Sequence, residues 1–189
     1  IMQFKNLNEN YIRVYDDVIP KLMCEHMIEE FEKNENQFDK QTLKGHRSFT
    51  QITLQQYKNW KPYQDNLQYA FNSCIDRYME ECDVTNKMFP EQYAYEMYRM
   101  KRYEPNGVDE FHDHVDVGNH ESAKRFLVFF LYLNEPQGGE TDFPQRGVSV
   151  SPKAGRLLMF PPMWTHLHAG RKVTGDTSKY IVGSYLHYI

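Results

Sequence analysis

Phe126-Leu-Val-Phe-Phe-Leu-Tyr-Leu133 is a continuous apolar and aromatic run, and a run of that length and composition bounded by turn residues reads as a β-strand. Residues 94–102, 148–150, 156–160 and 180–187 read the same way. Their connectors carry turn residues at Pro105-Asn-Gly107, Gln137-Gly-Gly139, Pro152-Lys-Ala-Gly155 and Gly175-Asp176. Short strands at such intervals suggest a barrel or a two-sheet roll. Upstream, residues 11–15 alternate like a strand, and Asp16 to Pro20 turns the chain into a helix with Leu22, Met23, Met27, Ile28 and Phe31 at helical spacing. Residues 33–45 are polar with few apolar positions, and 48–54 form a short strand. Trp60, Leu67, Phe71, Cys74, Ile75 and Tyr78 mark a second, longer helix. The expected class is α+β, helices first and a β-roll second, with both helices backing a sheet.

The chain has 189 residues, enough for one domain with a real core and too few for two ordinary ones. We expect a single domain over 1–189, with a helical part over about 1–90 and a roll over about 91–189. Lysine and arginine number 22 against 26 acidic residues, a net charge of -4, so nothing favours nucleic-acid binding. Cys24, Cys74 and Cys82 form no Cys-x-x-Cys pair and read as reduced thiols. Ile1-Met-Gln-Phe-Lys-Asn6 carries no apolar run of signal-peptide length, and no later stretch approaches the roughly 18 apolar residues of a membrane span. A soluble cytoplasmic protein, with no membrane partner, is the expectation. The sequence leaves the oligomeric state open. Gly138 and Gly139 mark a turn without the Lys-Ser or Lys-Thr of a phosphate loop, and no Gly-x-Ser-x-Gly element supports hydrolase chemistry.

His112-Asp-His-Val-Asp116 crowds ligand-type residues into one segment. Two residues are one side-chain period of a strand, so His114 and Asp116 on one strand project from the same face. Adding His112 would stretch the set over about 13 Å, beyond one coordination sphere, which leaves His112 as a neighbour or a solvent-facing residue. A distant histidine would complete two imidazoles and a carboxylate on one side of a metal, the arrangement that suits non-haem Fe(II). His166 and His168 share a face if extended, and geometry alone does not choose between them. Lys179 follows a turn through 174–178 that would fold its strand back beside the histidine strand. A buried lysine there requires an anion, and a dicarboxylate co-substrate chelating the metal would supply one.

In order along the chain, these pieces resemble the Fe(II)- and 2-oxoglutarate-dependent dioxygenases, in particular their prolyl 4-hydroxylase-like branch in its microbial or phage form. The resemblance runs through Val14-Tyr-Asp-Asp-Val-Ile-Pro20, Tyr103 to Phe111, His114-Val-Asp116, Arg125, Leu131-Tyr-Leu-Asn134, Gly138-Gly-Glu-Thr-Asp-Phe143, Pro152-Lys-Ala-Gly155, His168-Ala-Gly170, Val173 and Lys179. It implies a double-stranded β-helix, or jelly roll, with N-terminal helices packed on one sheet. It implies Fe(II) held by His114, Asp116 and His168, because the family's distal histidine heads a His-x-Gly segment about ten residues before the basic residue. Here the spacing is eleven, and Lys172 stands where a proline is common. It further implies that Tyr103 and Tyr132 donate to 2-oxoglutarate, that Lys179 pairs with its distal carboxylate, and that Thr141 walls the site. O2 is the oxidant and ascorbate an accessory reductant.

By the same resemblance the substrate is a proline-containing peptide or protein, with a free amino acid, a small metabolite or another protein side chain as the alternative. Succinate and CO2 are the co-products. The carboxylate of Asp116 favours hydroxylation over halogenation, and Lys179 stands where nucleic-acid demethylases use arginine. A binding module without turnover is the reading from another class, and a full set of ligands argues against it. Arg47 is read as reaching the cleft or lying solvated, and Trp164 as walling the groove or packing under the final strand.

Overall fold

A computed structural model describes residues 9–189; the N-terminal stretch read for a signal peptide lies outside the described residues. Twelve strands form one antiparallel sheet that curls into a roll. They are β1 (Arg13–Tyr15), β2 (Asp39–Leu43), β3 (Arg47–Thr53), β4 (Tyr93–Tyr95), β5 (Arg99–Tyr103) and β6 (Glu110–His114), then β7 (Arg125–Tyr132), β8 (Thr141–Phe143), β9 (Val148–Val150), β10 (Arg156–Phe160), β11 (His168–Gly170) and β12 (Lys179–Tyr188). The order across the sheet is β1-β10-β7-β12-β5-β3-β6-β11-β8-β9, with β2 on β3 and β4 on β12. This is the curled architecture of the double-stranded β-helix. Among the described residues no helix is long and apolar enough to cross a membrane.

Alternation along the strands divides the core in two. On β7, Leu127, Phe129 and Leu131 face the helices, while Val128, Phe130 and Tyr132 face the interior of the roll. Strand β10 does the same with Leu157 and Met159 against Leu158 and Phe160. A side-chain period of two therefore sends each strand's odd and even residues to different cores. Helix α1 (Lys21–Lys33) buries Cys24, Met27 and Phe31, and α2 (Lys61–Glu81) buries Leu67, Ala70, Phe71, Cys74, Ile75 and Tyr78. Those spacings make one apolar stripe per helix. Phe71 stacks on Phe129 at 5.1 Å, and truncating such a ring to alanine costs about 3–5 kcal/mol.

Several expectations need correction. Leu22 is 61% exposed; Cys24 takes its place on the buried face. The segment read as one strand over 94–102 is two, because the register against β12 slips by one residue between Tyr95↔Leu186 and Arg99↔Gly183. That bulge frees Glu96 to turn toward Arg125. The polar stretch 33–45 contains β2, a ribbon paired only to β3 and largely exposed; without apolar alternation nothing in its sequence announces it. Strands β1 and β3, expected near 11–15 and 48–54, join the sheet together with the unexpected β2. Finally, β12 does not lie beside β11. It pairs with β5, β7 and β4, whereas β11 pairs with β6 and β8, so residues 171–178 cross from one side of the roll to the other. All three cysteines are buried and unpaired.

Candidate active site

His114 is the last residue of β6 and His168 the first of β11, and the two are direct cross-strand partners. Their rings lie 4.3 Å apart, centroid to centroid. Asp116 reaches them by a route other than the one expected, since the strand has ended. Both Asp116 and Val117 donate their backbone N–H to the carbonyl of Pro162 (3.0 and 3.2 Å), and Arg125 donates to the Asp116 carbonyl at 3.0 Å. That pinned loop swings the carboxylate back over the strand end. Its oxygens stand 3.4 Å from His114 Nε2 and 3.4 Å from His168 Nε2, and one ligand atom from each residue falls within 4.8 Å of the others.

The atoms at this point of convergence are prepared for a cation. His114 Nδ1 lies 2.7 Å from the carbonyl of His112, and His168 Nδ1 lies 3.0 Å from that of His166. A carbonyl can only accept, so both Nδ1 atoms carry the proton and both Nε2 atoms present lone pairs, the tautomer a metal ligand requires. His168 Nε2 and Asp116 Oδ2 are buried with no hydrogen-bond partner. Unsatisfied buried groups are costly, and a divalent cation satisfies both together. Burial lowers the His168 imidazole from its usual range, keeping it neutral. Burial would raise the Asp116 carboxyl, and the positive charge of Lys101 opposes that. Phe111 stacks on the His114 ring at 3.6 Å and fixes its plane.

His166 is not part of the cluster. Its Nε2 meets the Asn10 carbonyl at 2.7 Å and its Nδ1 the Thr165 hydroxyl at 2.8 Å. His112 is exposed and pairs with Glu110. Trp164 is 78% exposed, so it does not pack beneath the final strand.

Deeper in the roll, Tyr103, Phe111, Phe130, Thr141, Gly170, Lys179 and Ile181 line a narrow cavity that His114 and His168 close at one end. Lys179 is fully buried, donates to the Gly139 carbonyl at 2.9 Å and lies 4.2 Å from the Tyr103 ring. It threads between two glycines, for a Cβ on Gly139 would come within 3.0 Å of its side chain and one on Gly170 within 3.7 Å of its ammonium. Burial, reinforced by Lys101, pushes the ammonium down to about 7. Tyr132 was expected to donate into this cavity. Its hydroxyl instead donates to Thr141 Oγ1 at 2.6 Å, which leaves the Thr141 hydrogen free to serve the cavity that Thr141 lines. Lys101 escaped the sequence reading, yet it stands one strand period before Tyr103 on β5 and faces the same interior. The available signal was that spacing.

Above the cluster the mouth of the roll opens into a cleft of about 740 Å³, bounded by Glu96, Met97, Val115, Asn119 and Lys124 among others. A second lobe of about 340 Å³ shares Arg99, Asp116 and Arg125 with it.

Residues 98–187 match the family model described as the 2OG-Fe(II) oxygenase superfamily, so the jelly-roll part of this chain is a 2OG-Fe(II) oxygenase domain. The donor set suits the iron, and the cavity beside it suits the keto acid, that the class uses. Among solved structures, the chain is similar to a viral collagen prolyl hydroxylase from Paramecium bursaria Chlorella virus 1 in complex with 2OG, with a TM-score of 0.75 and 19% identity over 98% of this chain and 100% of that one. It is also similar to a prolyl hydroxylase from Trichoplax adhaerens bound to a hypoxia-inducible-factor peptide (TM-score 0.72, 14% identity, 96% and 85% covered). A third is a Pseudomonas putida prolyl-4-hydroxylase (TM-score 0.68, 15% identity, 97% and 95% covered). At these identities the likeness establishes a shared fold. Curated proteins give no sequence match.

Proposed function

We propose that the protein hydroxylates a C–H bond of a peptidyl proline. The observation that carries this reading is the convergence of the His114, Asp116 and His168 ligand atoms on one point, two of them buried and unpartnered, with Asp116 lining the wall of an open cleft. A closed pocket would suit a metabolite; an open cleft suits an extended chain. The folds it resembles belong to prolyl hydroxylases.

In this reading His114, Asp116 and His168 would hold Fe(II), a donor set of two imidazoles and one carboxylate that suits this metal. Bound iron, 2-oxoglutarate and O2 together supply the oxidising power, with succinate and CO2 released. The remaining roles belong to side chains. Lys179 has used one of its three N–H donors on Gly139, and the other two are available to the distal carboxylate. Tyr103, whose hydroxyl burial keeps protonated, and Thr141 donate to the same anion. Tyr132 is a positioning residue that sets the Thr141 hydroxyl. Phe130, Phe160 and Phe143 surround His168 with centroids 4.8 to 6.0 Å away and exclude water from behind the site, which strengthens every charge interaction within it.

The test is succinate release by anaerobically purified protein given Fe(II), 2-oxoglutarate, ascorbate and O2, with and without a library of proline-containing peptides. Stimulated turnover with oxygen inserted at proline is expected. Stimulation only by free amino acids or metabolites would replace the peptide reading, and iron and 2-oxoglutarate binding without any decarboxylation would replace the enzymatic one.

A further inference from the structure

The lobe of the cleft nearest the ligands is positively charged. Arg47, Arg99, Lys101 and Arg125 all line it. Two of these are balanced, for Glu96 lies 2.7 Å from Arg125 and 3.7 Å from Arg99. Asp116 is committed to the metal. Arg47 and Lys101 face no carboxylate at ion-pair distance among the described residues. The Arg47 Nη2 donates to Gln41 at 3.2 Å, while its buried Nε has no partner. The Lys101 ammonium rests on aromatic faces, 4.8 Å from the Phe49 ring and 5.8 Å from the Phe111 ring. Arg47 lies 6.0 Å from that same Phe111 ring, the one stacked on His114.

Two cations thus crowd one aromatic ring beside the reaction centre with no carboxylate at ion-pair distance, and the negative charge that acts on Lys101, that of Asp116, is the one a metal would take. Cation–π contact recovers only about 0.5–2 kcal/mol, less than the several kcal/mol that desolvating an ammonium costs. The metal is itself a cation, and in the proposed function the distal carboxylate of 2-oxoglutarate goes to Lys179. Lys101 lines both the cleft lobe and the inner cavity, so an anion between the two cations would sit immediately beside the carbon to be oxidised.

We propose that Arg47 and Lys101 bind a carboxylate carried by the substrate next to the oxidised C–H bond, so that the protein selects acidic targets. This rests on the reading of the cleft as the substrate site. The carboxylate belongs either to an Asp or Glu flanking the target in a peptide or to the α-carboxylate of a free or terminal amino acid.

The experiment measures binding to Mn(II)-loaded protein with 2-oxoglutarate under argon, at low and high salt. Probes are proline peptides flanked by Asp and Glu, the same peptides with Asn and Gln, a phosphoserine version, free proline and prolinamide. Acidic peptides should bind at least about tenfold more tightly than their amide twins, by a margin that shrinks with salt. Lys101→Met and Arg47→Gln, made separately so that one misfolding variant does not void the test, should each remove most of that margin. Binding of free proline but neither prolinamide nor any peptide would keep the carboxylate assignment while removing the peptide reading. Equal binding of acidic and amide peptides, a preference that survives both substitutions, a phosphopeptide bound tenfold more tightly than the acidic one, or no binding by any probe would overturn the proposal. So would a tenfold loss of affinity for 2-oxoglutarate itself in Lys101→Met, which would assign the lysine to the co-substrate.

Discussion

Replacing Lys179 with methionine removes a charge that the ligand-free fold holds at a cost. An exposed lysine titrates near 10.4, and burial brings this one from 10.5 down to about 7. The folded chain therefore binds fewer protons than the unfolded chain between those values, so ligand-free stability rises with pH across that window. At pH 7 the penalty is about 4 kcal/mol, at 1.36 kcal/mol per tenfold in proton affinity, and at pH 9 about 2 kcal/mol. Methionine fills a similar volume without the charge and forfeits the bond to Gly139, worth about 1 kcal/mol. Urea unfolding of ligand-free Lys179→Met should show a gain of about 3 kcal/mol at pH 7 that falls to about 1 kcal/mol at pH 9. With Mn(II) and 2-oxoglutarate present the order should reverse, because only the wild type gains from pairing its ammonium. Calorimetry in buffers of different ionisation enthalpy should show about 0.9 proton taken up per 2-oxoglutarate bound by the wild type at pH 8. A variant that is less stable than wild type at pH 7, or that keeps the ligand-induced stabilisation, would refute this reasoning.

Thr141→Val leaves the buried Tyr132 hydroxyl without its acceptor and should destabilise by about 1–3 kcal/mol; adding Tyr132→Phe should restore most of that without restoring 2-oxoglutarate affinity, both read by denaturation and titration. His168→Ala should abolish the rise in Tm caused by Mn(II), whereas His166→Ala should retain it while lowering the metal-free Tm through loss of the Asn10 contact. Glu96→Gln leaves Arg125 and Arg99 short of a counter-charge in a partly buried network and should destabilise by about 2–4 kcal/mol, measured by urea unfolding.

Strands β7, β10 and β12 were legible because both of their faces are buried, which writes itself into the sequence as long apolar runs. Both helices were legible from their stripes, although Leu22 was placed on the wrong face of the first. Strand β2 was not, since an exposed ribbon held by backbone pairing needs no apolar side chains. The cluster of His114, Asp116 and His168 was anticipated as a set, but by a geometry the chain does not use: Asp116 arrives by a turn held at Pro162, not along a strand. What separates His168 from His166 is the carbonyl of Asn10, 156 positions away, and no local pattern reports such a contact. The position of Lys179 was read correctly as inward, but its strand's neighbours were not, since nothing in 171–178 shows that the segment crosses the roll. Lys101 was overlooked because lysine is almost always a surface residue, and only the two-residue step from Tyr103 marked it as interior.

Anomalous diffraction at the iron edge is the most direct measurement, made on crystals grown anaerobically with Fe(II) and an inactive 2-oxoglutarate analogue. The expected result is a single iron peak about 2 Å from His114 Nε2, His168 Nε2 and an Asp116 oxygen, with the analogue's far carboxylate on the Lys179 ammonium. Iron bound at His166 or His112, or an analogue whose carboxylate ignores Lys179, would contradict it.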